Sequence, residues 1–170
     1  MSDRSQGETA LVQLSERLTN SAAFGTLFRE GMDLVEETAA YLDGVGRTEA
    51  KALDRSVSLT YATESMRLTT RLMQLASWLL LHRAVKEGEM TLSQANREKT
   101  KVKLSAADPG AEDMLQKLPP PLQDLIARSM TLQTKVRRLD TTIHAPVTER
   151  AAIGNPLVPQ LNRLKAAFER

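Results

Sequence analysis

The chain has no cysteine, so neither disulfides nor cysteine-based zinc or redox chemistry is open to it, which suits a reducing cytoplasm. Aromatic residues fill only 4% of the 170 positions, with a single tryptophan. The core must therefore come from leucine, alanine and methionine, which favours helix over sheet. Neither sign of charge is in excess. The 23 basic and 21 acidic residues leave a net charge of +2, too small for a nucleic-acid footprint by itself, although the isoelectric point of about 9.0 leans that way. No apolar run approaches the roughly 20 residues of a membrane span. The opening MSDRSQGETALVQLSERL carries scattered charges where a secretory signal needs an apolar core. GxGxxG, GxxxxGK[ST] and GxSxG are all missing, so no enzymatic activity and no cofactor is expected.

What is present is a dominant helical stretch at residues 61–89, YATESMRLTTRLMQLASWLLLHRAVKEGE, without proline and with its only glycine at Gly88. Residues 72–81 carry no charge, and Leu75, Ala76, Trp78, Leu79, Leu80 and Leu81 point in nearly every direction around the helix. A helix apolar all round must be covered on several sides. Met66 and Met73 read first as core fillers and second as an adaptable binding surface.

In chain order, residues 1–20 form a partly disordered N-terminal segment in which Leu11, Leu14 and Leu18 have helical spacing. Asn20 or Ser21 caps the next helix, whose seam is Phe24, Phe28, Gly31, Val35, Thr38 and Leu42, widened by Leu27, Leu34 and Tyr41. Glu30, Asp33, Glu36, Glu37 and Asp43 make its other face acidic and solvated. Gly44 and Gly46 are expected to close it in the left-handed conformation. A helix restarting near Thr48 and running through the central stretch would hold some 40 residues, roughly 60 Å at 1.5 Å each. A turn near Val45 then sets residue 24 opposite residue 66. The apolar end at 72–85 would lie beyond the first helix, which predicts a homodimer through that end, with Leu80 in the contact.

Gly88 ends the long helix, and TLSQ at 91–94 is a capping box opening a short helix over about 92–101. Asp108-Pro109 starts a short turn ending at Leu118, and Pro119-Pro120-Pro121 leads into the last helix. Leu122, Leu125, Ser129, Leu132, Val136, Leu139 and Ile143 are its seam, with Ile126 and Met130 beside them. The fold expected is all-α: an antiparallel three-helix bundle over 21–145 with one very long central helix, a short helix in the second connection and a flexible C-terminal tail at 146–170.

Few residues suggest chemistry. His82 and His144 lie on different helices with no carboxylate at a metal-ligand spacing, so no metal is expected. Histidine phosphotransfer domains carry lysine at +3 and glycine at +4 from the histidine, whereas His82 has Val85 at +3 and Lys86 at +4. Arg97, Lys99, Lys101 and Lys103, with Lys135, Arg137 and Arg138 on the last helix, suggest a DNA-binding regulator as an alternative. No aromatic residue interleaves the first basic run and no tight helix-turn-helix precedes a basic recognition helix, so nucleic acid is not the favoured partner. Arg67 and Arg71, with Glu64 a turn before, read as an exposed ion-pair ladder or as an arginine docking strip. In the tail, Leu157, Val158, Leu161, Leu164 and Phe168 are apolar anchors that a partner groove would order.

ESMRLTTRLMQLASWLLLHRAVKEGEM, together with FREGMDLVEETAAYLDG, GRTEAKAL and QANREKTKVKL, closely resembles the regulator of CtrA degradation (RcdA) family, also known as a domain of unknown function, over about residues 21–144. The resemblance implies a cytoplasmic, homodimeric three-helix bundle. It further implies a non-enzymatic adaptor for the ClpXP protease in cell-cycle-controlled proteolysis, working beside a receiver-domain protein and its protein substrates, with a C-terminal tail important for delivery.

Overall fold

The computed structural model describes residues 21–99 and 112–144, with Arg163 and Ala166 beyond them. The segment 1–20, the Asp108-Pro109 cap and nearly all of the tail lie outside the described residues.

Helix α1 (Ala22–Asp43) starts where Ser21 Oγ accepts a hydrogen bond from the Phe24 amide at 3.3 Å, so Ser21 rather than Asn20 is the cap. Its buried residues, Phe24, Leu27, Gly31, Leu34 and Thr38, step by three and four along one stripe. Leu27 and Leu34 thus sit at the centre of the seam, while Phe28 and Val35 form its half-buried margin.

The end of α1 departs from expectation. Gly44 adopts φ −111° and ψ −110°, not the left-handed conformation, and a separate helix, α2 (Val45–Lys51), follows at once. Residues 52–54 then interrupt the chain before the central helix α3 (Arg55–Lys86), which is 32 residues long, not about 40. Tyrosines at the helix junctions account for the break. The Tyr41 hydroxyl donates to Glu49 Oε2 at 2.6 Å, tying α2 back against α1. Gly46 is packed so closely that a Cβ there would lie 2.7 Å from both the Tyr41 carbonyl oxygen and the Tyr61 hydroxyl. Gly46→Ala should therefore lower the melting temperature, because a backbone carbonyl cannot give way cheaply. The overpacking cost of about 1–3 kcal/mol outweighs the roughly 1 kcal/mol that alanine gains in helix propensity. A thermal melt at or above the wild-type value would remove this account of the α1–α2 corner.

The extra helix changes the register of α1 on α3. Phe24 lies not opposite residue 66 but against Trp78, with ring centroids 6.3 Å apart. Phe24 and Leu27 are buried in the core cluster with Trp78, and the Arg83 guanidinium sits 4.8 Å over the Phe28 ring. The Trp78 side of the apolar end is thus covered by α1, so the argument for a dimer from unpaired helix length falls, although Met73 and Leu80 in the same run stay exposed.

Gly88, at φ 75°, closes α3 in the left-handed conformation, with Glu89 N–H bonded to the Ala84 carbonyl at 3.0 Å and Gly88 N–H to that of Val85 at 3.1 Å. Thr91 and Gln94 then cap one another reciprocally, at 2.9 and 3.1 Å, and open α4 (Leu92–Lys99). A single turn, α5 (Glu112–Leu115), precedes α6 (Pro120–His144), which buries Leu122, Leu125, Ile126, Ser129, Leu132, Gln133, Val136 and Ile143. The seam read from the sequence is recovered there, with Leu139 half-buried.

The helices form an all-α bundle around one core in which α1, α3 and α6 pack on each other. α1 runs antiparallel to its two partners: Glu30 pairs with Lys135 at 3.1 Å and Glu37 with Arg128 at 2.7 Å. α3 and α6 run parallel, since Arg71 meets Ser129, Trp78 meets Asp140 and His82 meets His144. The connection carrying α4 and α5 thus returns the chain to the other end of the bundle. The acidic face of α1 is accordingly not wholly solvated, although these half-exposed pairs contribute at most about 1 kcal/mol each. Among the described residues no helix is long and apolar enough to cross a membrane.

Candidate functional site

Two places stand out: a buried polar cluster at one end of α3 and α6, and an apolar stripe left exposed on α3. The cluster is built on Trp78, which is fully buried and donates from Nε1 to Asp140 Oδ1 at 2.8 Å. Lys99 Nζ, from α4, meets the other carboxylate oxygen at 2.8 Å. One turn beyond Trp78, His82 stacks on the indole at 3.9 Å between centroids and is itself fully buried. Its Nδ1 lies 2.9 Å from the Trp78 carbonyl oxygen. A carbonyl only accepts, so Nδ1 carries the hydrogen and Nε2 presents its lone pair inward. That Nε2 is 2.8 Å from His144 Nε2, which lies 3.8 Å from Asp140 Oδ1. Burial pushes the His82 imidazole below its ordinary value, opposed by the Trp78 carbonyl and the Asp140 charge.

Sequence reading placed no carboxylate at a ligand spacing from either histidine, and the structure corrects this. Asp140 and His144 are four residues apart on one helix face, and His82 arrives from the parallel helix. The signal was present in the Asp-x-x-x-His spacing, but the partner helix was not legible. His82 is also not positioned for phosphoryl transfer, because both ring nitrogens are engaged inside the bundle.

The exposed stripe consists of Leu59, Met66, Met73 and Leu80, which are 66%, 71%, 65% and 53% exposed and recur every seven residues along α3. The methionines are therefore surface residues and not core fillers. Between them the same face carries Ala62, Thr63, Thr69, Thr70, Ala76 and Ser77, all small and uncharged. Beside it runs a shallow groove between α1 and α3, lined by Val35, Thr38, Leu42, Thr69, Leu72, Met73 and Ala76 among others.

Arg67 and Arg71 do not form one exposed ladder. Arg67 is 42% exposed and pairs with the buried Glu64 at 2.9 Å. Arg71 is 7% exposed, with Nη1 donating to Ser129 Oγ at 2.8 Å across the α3–α6 interface. Burial lowers its affinity for a proton and the nearby Glu64 charge restores part of it. Its guanidinium joins two helices and is not presented to a partner. Of the basic groups proposed to meet DNA, Lys99 and Lys135 are already paired with Asp140 and Glu30. Lys101 and Lys103 lie outside the described residues, as do Leu157, Val158, Leu161, Leu164 and Phe168.

Fold and surface together define the class as an all-α bundle built on one long helix that keeps an apolar stripe outside its core. The chain belongs to the family described as "Protein of unknown function (DUF1465)", whose model matches residues 15–168. It is similar to the crystal structure of RcdA from Caulobacter crescentus CB15. The two share 47% sequence identity and a TM-score of 0.64, over 77% of this chain and 98% of that one. No curated protein matches the chain.

Proposed function

We propose that this chain is a non-enzymatic adaptor in regulated proteolysis. In this reading it acts in the cytoplasm as a homodimer and brings cell-cycle substrates to ClpXP alongside a receiver-domain protein. The similarity to RcdA, at 47% identity over 98% of that structure, carries the reading. An adaptor works by holding two partners at once and so raising the effective concentration of one near the other, which requires surfaces and no reacting groups. The stripe on α3 supplies one such surface, and its heptad spacing suits a second copy of the same helix. The segment after His144 supplies Leu157, Val158, Leu161, Leu164 and Phe168 as anchors for another.

The test is degradation reconstituted from purified ClpXP, a receiver-domain protein and candidate substrates recovered with this chain as bait. The full chain should accelerate turnover of at least one substrate. A chain ending at Ala145 should keep its helicity and melting temperature while losing delivery of at least one substrate. Full activity of the shortened chain would take the tail out of the mechanism. Failure of the full chain to bind either protease or receiver protein would take away the adaptor reading itself.

A further inference from the structure

We propose that His82, Asp140 and His144 form a binding site for a divalent transition-metal ion of the zinc class, which fastens α3 to α6 near their C-terminal ends. One ligand atom from each of the three side chains lies within 4.8 Å of the other two, the one such group among the described residues, and the two imidazole Nε2 atoms are 2.8 Å apart. Zinc bound tetrahedrally at about 2.0–2.2 Å needs donor atoms roughly 3.3 Å apart. The histidine nitrogens, now 2.8 Å apart, would open by about half an ångström, and Asp140 Oδ1, 3.8 Å from His144, would close by as much.

The surroundings match what a metal site needs beyond its ligands. His82 donates Nδ1–H to the Trp78 carbonyl, which fixes the tautomer and turns the Nε2 lone pair into the cluster. Asp140 is held in place by the Trp78 indole N–H on Oδ1 and by Lys99 on Oδ2. Two neutral imidazoles and one carboxylate select a borderline ion such as Zn²⁺ or Co²⁺ over Mg²⁺ or Ca²⁺, which require mostly oxygen ligands. His82 is buried, while the Asp140 and His144 side chains keep 16% and 7% of their exposure. For both rings to ligate through Nε2, His144 carries its hydrogen on Nδ1 instead of Nε2, and three coordinate bonds then replace the contact between the two rings and add to the Arg71–Ser129 and Trp78–Asp140 hydrogen bonds that already join the helices.

The chain's composition makes the test clean. It has two histidines, one tryptophan and no cysteine. Full-length protein stripped with a chelator is titrated with Co²⁺ and, separately, Zn²⁺. One ion per chain should bind at micromolar concentration or tighter. Co²⁺ should give the visible bands of tetrahedral coordination and quench Trp78, whose ring stacks on His82 at 3.9 Å. Zn²⁺ should raise the melting temperature. His144→Gln and Asp140→Asn, each confirmed as folded by circular dichroism, should each weaken binding at least about 100-fold, the scale at which even supporting residues matter to metal affinity. Should neither variant fold, nitrogen-detected spectra of the two imidazoles in the wild-type protein decide. Zn²⁺ must shift Nε2 of both rings while Nδ1 of His82 stays protonated. Absence of saturable binding below millimolar metal, binding that survives both substitutions, or imidazole signals unmoved by Zn²⁺ would each overturn the proposal.

Discussion

Trp78→Ala is expected to destabilise the protein by about 3–5 kcal/mol, the range for truncating a large aromatic residue in a packed core. The side chain has no exposure, and it contacts both α1 and α6. Phe24 from α1 packs on one side, His82 stacks on another, and Asp140 from α6 accepts the indole hydrogen. Alanine removes all three contacts and leaves a cavity that the rigid helices cannot close. For a chain of this size each kcal/mol is worth roughly 2–4 °C. The melting temperature should therefore fall by about 6–20 °C, read by far-ultraviolet circular dichroism. Trp78→Phe separates the terms, because it keeps much of the packing and loses the hydrogen bond to Asp140, and should cost less than half as much. Native wild-type emission should be blue-shifted. An emission maximum typical of a solvated indole, or an unchanged melt for the alanine variant, would mean that Trp78 is not at the centre of this core.

The burial of Trp78 was legible because the largest apolar side chain sits in the middle of an uncharged run, although the same run leaves Met73 and Leu80 exposed. Helix caps were legible for the same local reason: Ser21, the Thr91/Gln94 pair and Gly88 each act within a few residues of themselves. So was the seam of α6, where the apolar spacing persists for three heptads. Register was not legible. Nothing in the helical propensity of residues 48–60 marks the interruption at 52–54, which follows from Gly46 wedged beneath Tyr41 and Tyr61, a contact between residues 15 positions apart. One missed break moved Phe24 from residue 66 to Trp78 and removed the argument from unpaired helix length. Arg71 illustrates the same limit. Its spacing from Arg67 is that of a surface ladder, and only the arrival of Ser129 from α6 makes it an interhelix residue. The polar cluster was half visible, since Asp140 and His144 share a helix face, but pairing them with His82 required knowing that α3 and α6 run parallel.

Charging the middle of the α3 stripe is expected to convert the proposed dimer to monomer without unfolding the protomer. Met66 and Met73 are 71% and 65% exposed, so Met66→Glu with Met73→Glu removes little buried area from the single chain. Each surface change should alter its stability by no more than about 0.5 kcal/mol. The effect on association is different in kind. Two copies of α3 crossing antiparallel about a point between these methionines set Met66 of one against Met73 of the other and Leu59 against Leu80, a self-complementary arrangement with two-fold symmetry. Alanine, threonine and serine between the large residues let the helices approach closely. Four carboxylates closed into that seam are like charges leaving water together, which disfavours association by several kcal/mol. Sedimentation at micromolar concentration should find wild-type dimer and variant monomer, with equal helicity. A monomeric wild-type chain, or a dimer indifferent to both glutamates, would rule out this surface. Salt then distinguishes repulsion from lost shape. At 1 M, where the screening length is about 3 Å, the double glutamate variant should recover part of its association, whereas Met66→Ala with Met73→Ala should not, because that change removes contact area and leaves no charge to screen.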